Sequence, residues 1–420
     1  MKHLGFALLA LAAAASDWPQ YHGAASDRVS TETLGLRAFP ESGPPRRWKV
    51  DLADGFSSFA LQGGRAFTLV ARKQDGQARE VLVALDAASG KELWSAPLGT
   101  VEYDGGGNAG AGDNEGGDGP RTTPSALDGR VIVLDANLGL ACFDASTGAP
   151  LWKHDILAEF GGRTIRWQNG ASPLVEGGRV FVAGGGAGKS LLAFDAATGA
   201  ELWARGDELM THATPIAATL LGRRQVIFLL QSGPVAVDPE SGIELWRAEF
   251  PYRTSTAASP VVSGDVVYCS AGYGVGAAAW RLKEADGALV PELLWREPNK
   301  RINHWSTPVA KDGCLYGMFG FKEYGKGPLA CVDLATGEER WSREGFGPGN
   351  CILVGDTLVA LSDAGEVVLV DPRPDGYREL ARADVLAGKC WSMPAFSDGA
   401  LFVRSTREGV CLDLSGKGSR

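Results

Sequence analysis

Seven short segments of this chain combine arginine, tryptophan, histidine and asparagine, and most of them stand shortly before a Ser-Pro or Thr-Pro step. The side chains with binding chemistry in these segments are Arg121, Trp167, Gln168, Asn169, His212, Arg253, Asn303, His304, Trp305, Asn350, Lys389 and Trp391. Guanidinium groups pair with planar anions, and tryptophan rings stack on flat ligands. If they converge, these residues would bind a flat, polar or anionic ligand. The alternative is an ordinary polar rim whose aromatic rings only cover the neighbouring strands.

The same segments contain no aspartate or glutamate, although acid–base catalysis and calcium binding both draw on carboxylates. His212 and His304 have no carboxylate motif beside them, so we expect structural histidines rather than metal ligands. The chain also lacks the nucleophile motif G-x-S-x-G. The sequence therefore predicts neither a catalytic residue nor a metal site in these segments.

One glycine-rich insertion, at 101–120, does carry carboxylates. They include Asp104, Asp113, Glu115 and Asp118. Their spacing is not that of a calcium-binding EF-hand loop, and the glycine content favours a solvated, mobile loop. Calcium binding in this insertion is the alternative.

A repeated pattern, D-x-x-x-G-x-x-x-W, recurs at intervals of about 40–60 residues, which is typical of a repeat architecture. Its copies supply Asp86 and Trp94, Asp144 and Trp152, Asp195 and Trp203, Asp238 and Trp246, and Asp333 and Trp341. Each copy follows short apolar runs separated by glycine turns, which predicts antiparallel strands. In each copy the aspartate can cap a hairpin, the glycine can adopt a positive φ, and the tryptophan can wedge between neighbouring sheets. Four strands per unit, repeated radially, predict an all-β propeller.

The number of blades follows from the degenerate copies of the repeat. With them, the outer-strand positions are 48, 94, 152, 203, 246, 295, 341 and 380. The last unit, at 390–414, has no outer strand of its own, while a lone strand around Trp48 stands before the first full unit. We therefore expect eight four-stranded antiparallel blades, with the N-terminal strand closing the ring and removing its open edge. Seven blades is the alternative.

The composition and the N-terminal sequence limit which class of protein this can be. The chain has 420 residues, one repeat system and a net charge of −9 with scattered basic residues, which argues against nucleic acid as its partner. We expect residues 1–16 to be a cleaved signal peptide, 17–47 an N-terminal arm, 48–415 a single propeller and 416–420 a tail. The short apolar run that begins at Leu4 predicts a periplasmic or extracellular protein without a transmembrane segment. We expect a monomer.

Seven cysteines are present, and most occupy strand positions typical of small buried hydrophobic residues. Cys351 and Cys390 open the first strands of neighbouring units, so a disulfide between them is an alternative that the sequence leaves open. No two cysteines are adjacent, and there is no haem or zinc motif.

The repeats, together with the opening Asp17-Trp18-Pro19-Gln20, resemble the pyrroloquinoline quinone (PQQ)-like repeat propellers over roughly residues 17–414. The resemblance implies an eight-bladed secreted fold but not one activity. One branch contains quinoprotein dehydrogenases, which hold PQQ and calcium on the axis beneath a vicinal disulfide. Another contains non-enzymatic scaffolds, such as the propeller subunit of the outer-membrane β-barrel assembly machinery.

Fold alone does not decide between these branches, so the site must. The sequence has neither the Cys-Cys pair nor mouth carboxylates, which favours a non-enzymatic ligand- or protein-binding scaffold of the bacterial cell envelope without a cofactor. The expected partner is an envelope protein, a peptide or a glycan. The alternatives are a PQQ-dependent alcohol or sugar dehydrogenase with calcium, and a carbohydrate-binding propeller.

Overall fold

The computed structural model describes residues 17–101, 119–254 and 256–417, and within them the chain forms eight β-sheets arranged as a propeller. The predicted signal peptide, residues 102–118 of the acidic insertion and residues 418–420 lie outside the described residues.

The strands of each blade are given from the axis outward. Blade 1 contains Ala60–Gln62, Arg65–Gln74, Gln77–Asp86 and Glu92–Thr100; blade 2, Ser125–Leu127, Arg130–Leu134, Gly139–Asp144 and Pro150–Asp155; blade 3, Leu174–Glu176, Arg179–Ala183, Leu191–Asp195 and Glu201–Arg205; blade 4, Ile216–Leu220, Arg223–Leu230, Gly233–Val237 and Glu244–Arg247. Blade 5 contains Val261–Ser263, Val266–Ala271, Gly276–Ala285 and Ala288–Glu297; blade 6, Val309–Lys311, Cys314–Met318, Leu329–Asp333 and Glu339–Arg343; blade 7, Asn350–Val354, Thr357–Leu361, Glu366–Val370 and Glu379–Asp384; blade 8, Ala395–Ser397, Ala400–Arg404, Glu408–Asp413 and Arg46–Asp51. One short helix, Ile156–Phe160, follows blade 2, where Asp155 caps its first turn.

The N-terminal strand closes the ring, as predicted. Arg46–Asp51 pairs antiparallel with Glu408–Asp413, and Trp48 stands opposite Cys411. The first and last parts of the chain thus share one blade, so no sheet of the ring is left incomplete. Eight blades, not seven, are confirmed.

The repeat motif forms the predicted hairpin cap. The Asp144 carboxylate accepts hydrogen bonds from the backbone amides and the hydroxyl groups of Ser146 and Thr147, at 2.6–3.0 Å. These bonds lower the pKa of Asp144 to about 2. Equivalent bonds from the turn surround Asp86, Asp195, Asp238 and Asp333.

The repeat tryptophans join each blade to the next. Trp94 Nε1 donates to the carbonyl oxygen of Ala145 in blade 2, while its ring covers Gly148. Gly148 has a φ of +73°, and a Cβ there would stand 2.6 Å from the Trp94 ring, so both the turn and the packing require glycine. The same bond to the next blade is made by Trp48, Trp152, Trp203, Trp295 and Trp341. The motif is therefore a clasp between blades, which is the structural role predicted for it.

Two positions depart from this pattern. Trp246 donates instead to Gln225 within its own blade, since the next blade carries the long hairpin around Asp286 in place of the repeat turn. In blade 7 the register pairs Ala381 with Leu369 and leaves Leu380 in a β-bulge. The expectation that Leu380 takes the tryptophan place is therefore wrong by one residue, because the preceding turn is longer.

The N-terminal arm runs across the axis. Trp18 bridges Leu61 of blade 1, the Pro19 carbonyl accepts from Ala126 of blade 2, and Gln20 Oε1 accepts from Val175 of blade 3. Val29–Ser30 then pairs in parallel with Asn350–Val354 as a fifth, innermost strand of blade 7. The arm therefore covers the end of the axis at which the first strands finish.

The cysteines behave as core residues. All seven are buried and free, including Cys351 and Cys390. Burial raises the pKa of the Cys351 thiol to about 12, so it stays protonated. The alternative of a disulfide between the two is not seen in this structure.

Candidate functional site: an aromatic cup on the axis

A cavity of about 130 Å³ lies on the axis at the end where the first strands begin. We call it the axial cup; it is lined by Tyr21, Phe56, Arg121, Trp167, Gly170, His212, Thr214, Ala257, Tyr273, His304, Trp305, Lys322 and Trp391. Tyr21 belongs to the arm, so the cup is built from the inner loops of the blades together with the arm that crosses the axis.

The Ser/Thr-Pro steps hold these loops in a ring. Thr123 Oγ1 accepts from the Ser58 amide, Ser172 Oγ accepts from the Thr123 amide, and Thr214 Oγ1 accepts from the Ser172 amide, at 2.8–2.9 Å. The same bond joins Ser259 to Thr307. Each hydroxyl thus fixes the start of one blade against the next, a role that the sequence analysis did not assign to this step.

Six rings form a continuous arc around the cup. Phe56 stacks on Trp391 with centroids 5.0 Å apart, and Trp391 lies 4.8 Å from Trp305. The arc continues through His304 and Tyr273 to Trp167, whose ring lies 6.4 Å from that of Tyr273 and nearly parallel to it. The wall therefore presents ring faces and edges suited to flat ligands.

The charges at the cup are positive. Arg121 and Lys322 line it, and Lys389 Nζ lies 4.5 Å from the centre of the Trp391 ring. The Arg166 guanidinium lies over the Trp167 ring, 4.6 Å from its centre. Among the described residues, no aspartate or glutamate lines the cup.

Both histidines of the cup are held neutral. Burial, and then the Arg121 charge, lower the pKa of His212 to about 4. Burial, and then the Lys322 charge, lower the pKa of His304 to about 3. His212 Nε2 lies 2.6 Å from the carbonyl oxygen of Gln168, which requires that this nitrogen carry the proton. In the described lining of the cup, no carboxylate stands beside either histidine to orient it for proton transfer.

The predicted binding residues divide into two groups. Those that line the cup are Arg121, Trp167, His212, His304, Trp305 and Trp391. The others are placed outside the lining: Gln168, Asn169, Arg253, Asn303, Asn350 and Lys389.

The three asparagines support the loops instead. Asn169 Nδ2 donates to the carbonyl oxygens of Asp135 and Ala171, and Asn350 Nδ2 donates to that of Trp391. Asn303 bonds Tyr268 and the Met318 carbonyl. Arg253, by contrast, is exposed. The amide groups of the asparagines are therefore used within the fold, and the Arg253 side chain faces solvent.

Several lining residues were missed by the sequence analysis. Tyr273 and Lys322 lie in connections between second and third strands, which return to the same end of the axis as the inner loops. The antiparallel order of each blade could have predicted that placement. Phe56 precedes a first strand that lacks the proline step, and Tyr21 comes from the arm, which follows no repeat.

Comparisons with known proteins agree with this architecture. The family model described as outer membrane protein assembly factor BamB matches residues 77–343. A relative from Shewanella oneidensis with that name is 24% identical over 283 residues, which make up 63% of this chain and 67% of that protein.

Solved structures show the same fold at low identity. BamB from Moraxella catarrhalis superposes with a TM-score of 0.60 at 16% identity, over 89% of this chain and 98% of that one. Quinohemoprotein alcohol dehydrogenase from Comamonas testosteroni superposes with a TM-score of 0.66 at 14% identity, over 96% of this chain and 81% of that one. Within the described residues, no helix has the length and apolar character needed to cross a bilayer.

Proposed function

We propose that this chain, which belongs to the family described as outer membrane protein assembly factor BamB, is a non-enzymatic scaffold of the bacterial cell envelope that binds a protein partner. The relatives of that name suggest both the envelope location and a protein as the partner. The proposal includes secretion through the predicted signal peptide.

A row of exposed leucines on the outer strands carries the proposal. In each blade the residue before the tryptophan position lies in a β-bulge of the outer strand. In blades 1, 2 and 3 that residue is leucine, and Leu93, Leu151 and Leu202 are 45–48% exposed. We call these three the leucine rim. Aliphatic side chains repeated at one exposed position on consecutive blades are typical of a surface that another protein covers.

The same bulge position is a half-buried leucine in blades 4, 5 and 7 and an arginine in blades 6 and 8. Arg340 in blade 6 pairs with Asp333, and Arg47 in blade 8 pairs with Asp413. The leucines that are exposed at this position therefore lie on one arc, blades 1 to 3. A groove of about 890 Å³ between the outer strands of blades 1 and 2, lined in part by Leu98, Leu151 and Leu157, adjoins that arc. Both features favour a partner that lays aliphatic side chains along blades 1 to 3.

The dehydrogenase alternative fits the axial cup poorly. A calcium-held quinone needs carboxylate ligands, because Ca²⁺ prefers several negatively charged oxygens. The cup lining has none, and the described residues contain no group of three or more His, Cys, Asp or Glu placed to hold a metal. The proposal therefore includes no quinone chemistry.

Replacing two rim leucines with aspartate should weaken partner binding strongly without unfolding the chain. We expect Leu151→Asp with Leu202→Asp to reduce the captured partner at least about tenfold, because two aliphatic contacts are lost and two charges are desolvated. The measurement is quantitative mass spectrometry of proteins captured on the tagged full chain from the producing bacterium.

Arg340→Asp is the matched control, since it changes the equivalent bulge in blade 6. It should leave capture unchanged, and both proteins should melt within a few degrees of wild type. Equal capture by wild type and the leucine variant would contradict a partner on the leucine rim.

A further inference from the structure

The axial cup contains features that the scaffold proposal does not use. Six aromatic rings surround it, and Arg121 and Lys322 are the charged side chains of its lining among the described residues. We propose that the cup binds a single aromatic ring that carries a carboxylate. This inference does not depend on the partner at the leucine rim.

The size of the cup sets the number of rings. A cavity of about 150 Å³ lined by apolar side chains accommodates one benzene molecule, and the axial cup measures about 130 Å³. Tyr21 of the arm lies at the cup, and the arm that carries it covers the far end of the axis, so a ligand approaches from the mouth. One ring therefore fills the cavity, whereas a fused three-ring quinone would exceed it.

The walls select a flat, apolar body. The Phe56 and Trp391 rings are nearly parallel, at 16°, and Trp305 continues the same surface at 33° from Trp391. Offset stacking or an edge-to-face contact with such rings stabilises a further aromatic ring beyond the area that it buries. Aliphatic acids of similar charge would lose this contribution.

The field in the cup selects an anion. Lys322 stands at the lining and is exposed, and Arg121, which donates to the Trp167 carbonyl, lines the cup as well. The pKa values of the two histidines respond to the same positive charges. After burial, the largest cause of the lowered pKa is the Arg121 charge for His212 and the Lys322 charge for His304. A cation would meet repulsion from both basic residues, and a carboxylate would relieve it.

Two polar ring atoms of the cup have no hydrogen-bond partner within the part of the chain that the structure describes. They are His304 Nδ1 and Trp391 Nε1, both fully buried, on residues that are only 7–8% exposed. Buried donors and acceptors in proteins are ordinarily satisfied. Since both rings line the cup, a ligand carboxylate or a water held with it is placed to complete their bonding.

Binding of matched small molecules to the full-length protein tests the proposal. The probes are phenylacetate, phenylacetamide, which removes the charge, and acetate, which removes the ring. Isothermal titration, with tryptophan fluorescence as a second readout, should show phenylacetate binding at least about tenfold more tightly than either control, because charge and ring each contribute a separate interaction. Equal affinity for phenylacetate and phenylacetamide, or no saturable binding of any probe, would overturn it.

A lysine variant locates the binding. Lys322 is exposed and contacts the Tyr273 and Phe321 rings, so Lys322→Gln should leave the fold intact. It should weaken phenylacetate about fivefold and leave phenylacetamide unchanged, because a nearby unit charge is lost. Lys326→Gln in the same connection is the control, since Lys326 is exposed and lies outside the cup lining. Equal weakening by both variants would place the anion elsewhere.

Two further ligands refine the class. N-acetylphenylalanine, compared with its amide, asks whether the ring and carboxylate come from the C-terminal residue of a peptide; tighter binding of this acid than of its amide, together with the preference for phenylacetate over phenylacetamide, supports the cup assignment. PQQ with calcium is the counter-ligand. Calcium-dependent binding of PQQ that exceeds that of phenylacetate would overturn the single-ring assignment.

Discussion

Arg404→Met is expected to lower the free energy of unfolding by about 3 kcal/mol, because it leaves several buried acceptors without a donor. The Arg404 guanidinium donates to Thr68 Oγ1 and the Leu69 carbonyl in blade 1, and to the carbonyls of Ala53 and Gly55 in the connection between the closing strand and blade 1. It is 1% exposed. One side chain of blade 8 thus ties both neighbouring segments at the point where the ring closes.

Urea unfolding of the variant, followed by circular dichroism, gives this difference. Arg407→Met is the control, because Arg407 lies three residues away on the same blade and is exposed. It should cost less than about 0.5 kcal/mol, as surface substitutions usually do. An equal decrease in the free energy of unfolding in both variants would show that the hydrogen bonds of Arg404 to its neighbouring segments contribute nothing of their own.

Stability should also fall as the pH is lowered from 6.5 to 4, because three buried histidines resist protonation. Burial, with nearby arginine charges, lowers the pKa of His22 well below its usual value and that of His212 to about 4, while His304 falls to about 3. Below pH 6.5 the unfolded chain binds protons that the folded chain does not. The contribution of the neutral histidines to the free energy of unfolding is therefore complete above pH 6.5 and is lost as the pH falls. His212 alone accounts for about 3 kcal/mol of it.

Comparison with His212→Gln isolates this effect from other groups. Burial raises the pKa of Asp135 and Asp363, which favours the folded state as the pH falls and opposes the histidines. The informative quantity is therefore the difference in slope between wild type and variant over pH 6.5 to 4. We expect a shallower loss in the variant; parallel curves would mean that His212 is protonated without cost in the folded state.

The blades were predictable because the motif is set by local geometry. Asp144, Gly148 and Trp94 each satisfy a constraint of one hairpin and its neighbour, so their spacing survives in the sequence wherever that clasp is made. The closing strand at Trp48 followed from counting the clasps. Where the clasp is replaced, as at Trp246 and Leu380, the sequence still indicated a strand but not the partner or the register.

The cup was only partly predictable, since its composition depends on which loops reach the axis. Residues before a Ser/Thr-Pro step, such as Trp305, were found because that step marks the inner end of each blade. Asn303 lies in the same loop as Trp305 but turns into the fold, as does Asn350 at the start of the first strand of blade 7, and nothing in residue type separates the two outcomes. Tyr21 reaches the cup through the path of the arm, which a repeat analysis cannot give.

The most direct test of the account is site-specific photo-crosslinking in the producing bacterium, with a benzophenone amino acid placed at one bulge position at a time. The positions are 47, 93, 151, 202 and 340, which share one backbone geometry and differ in the arc of the ring that they occupy. We expect a discrete adduct with the same envelope protein from 93, 151 and 202, and none from 47 and 340. Adducts from all five positions alike, or from 47 and 340 alone, would contradict a scaffold that holds its partner on the leucine rim.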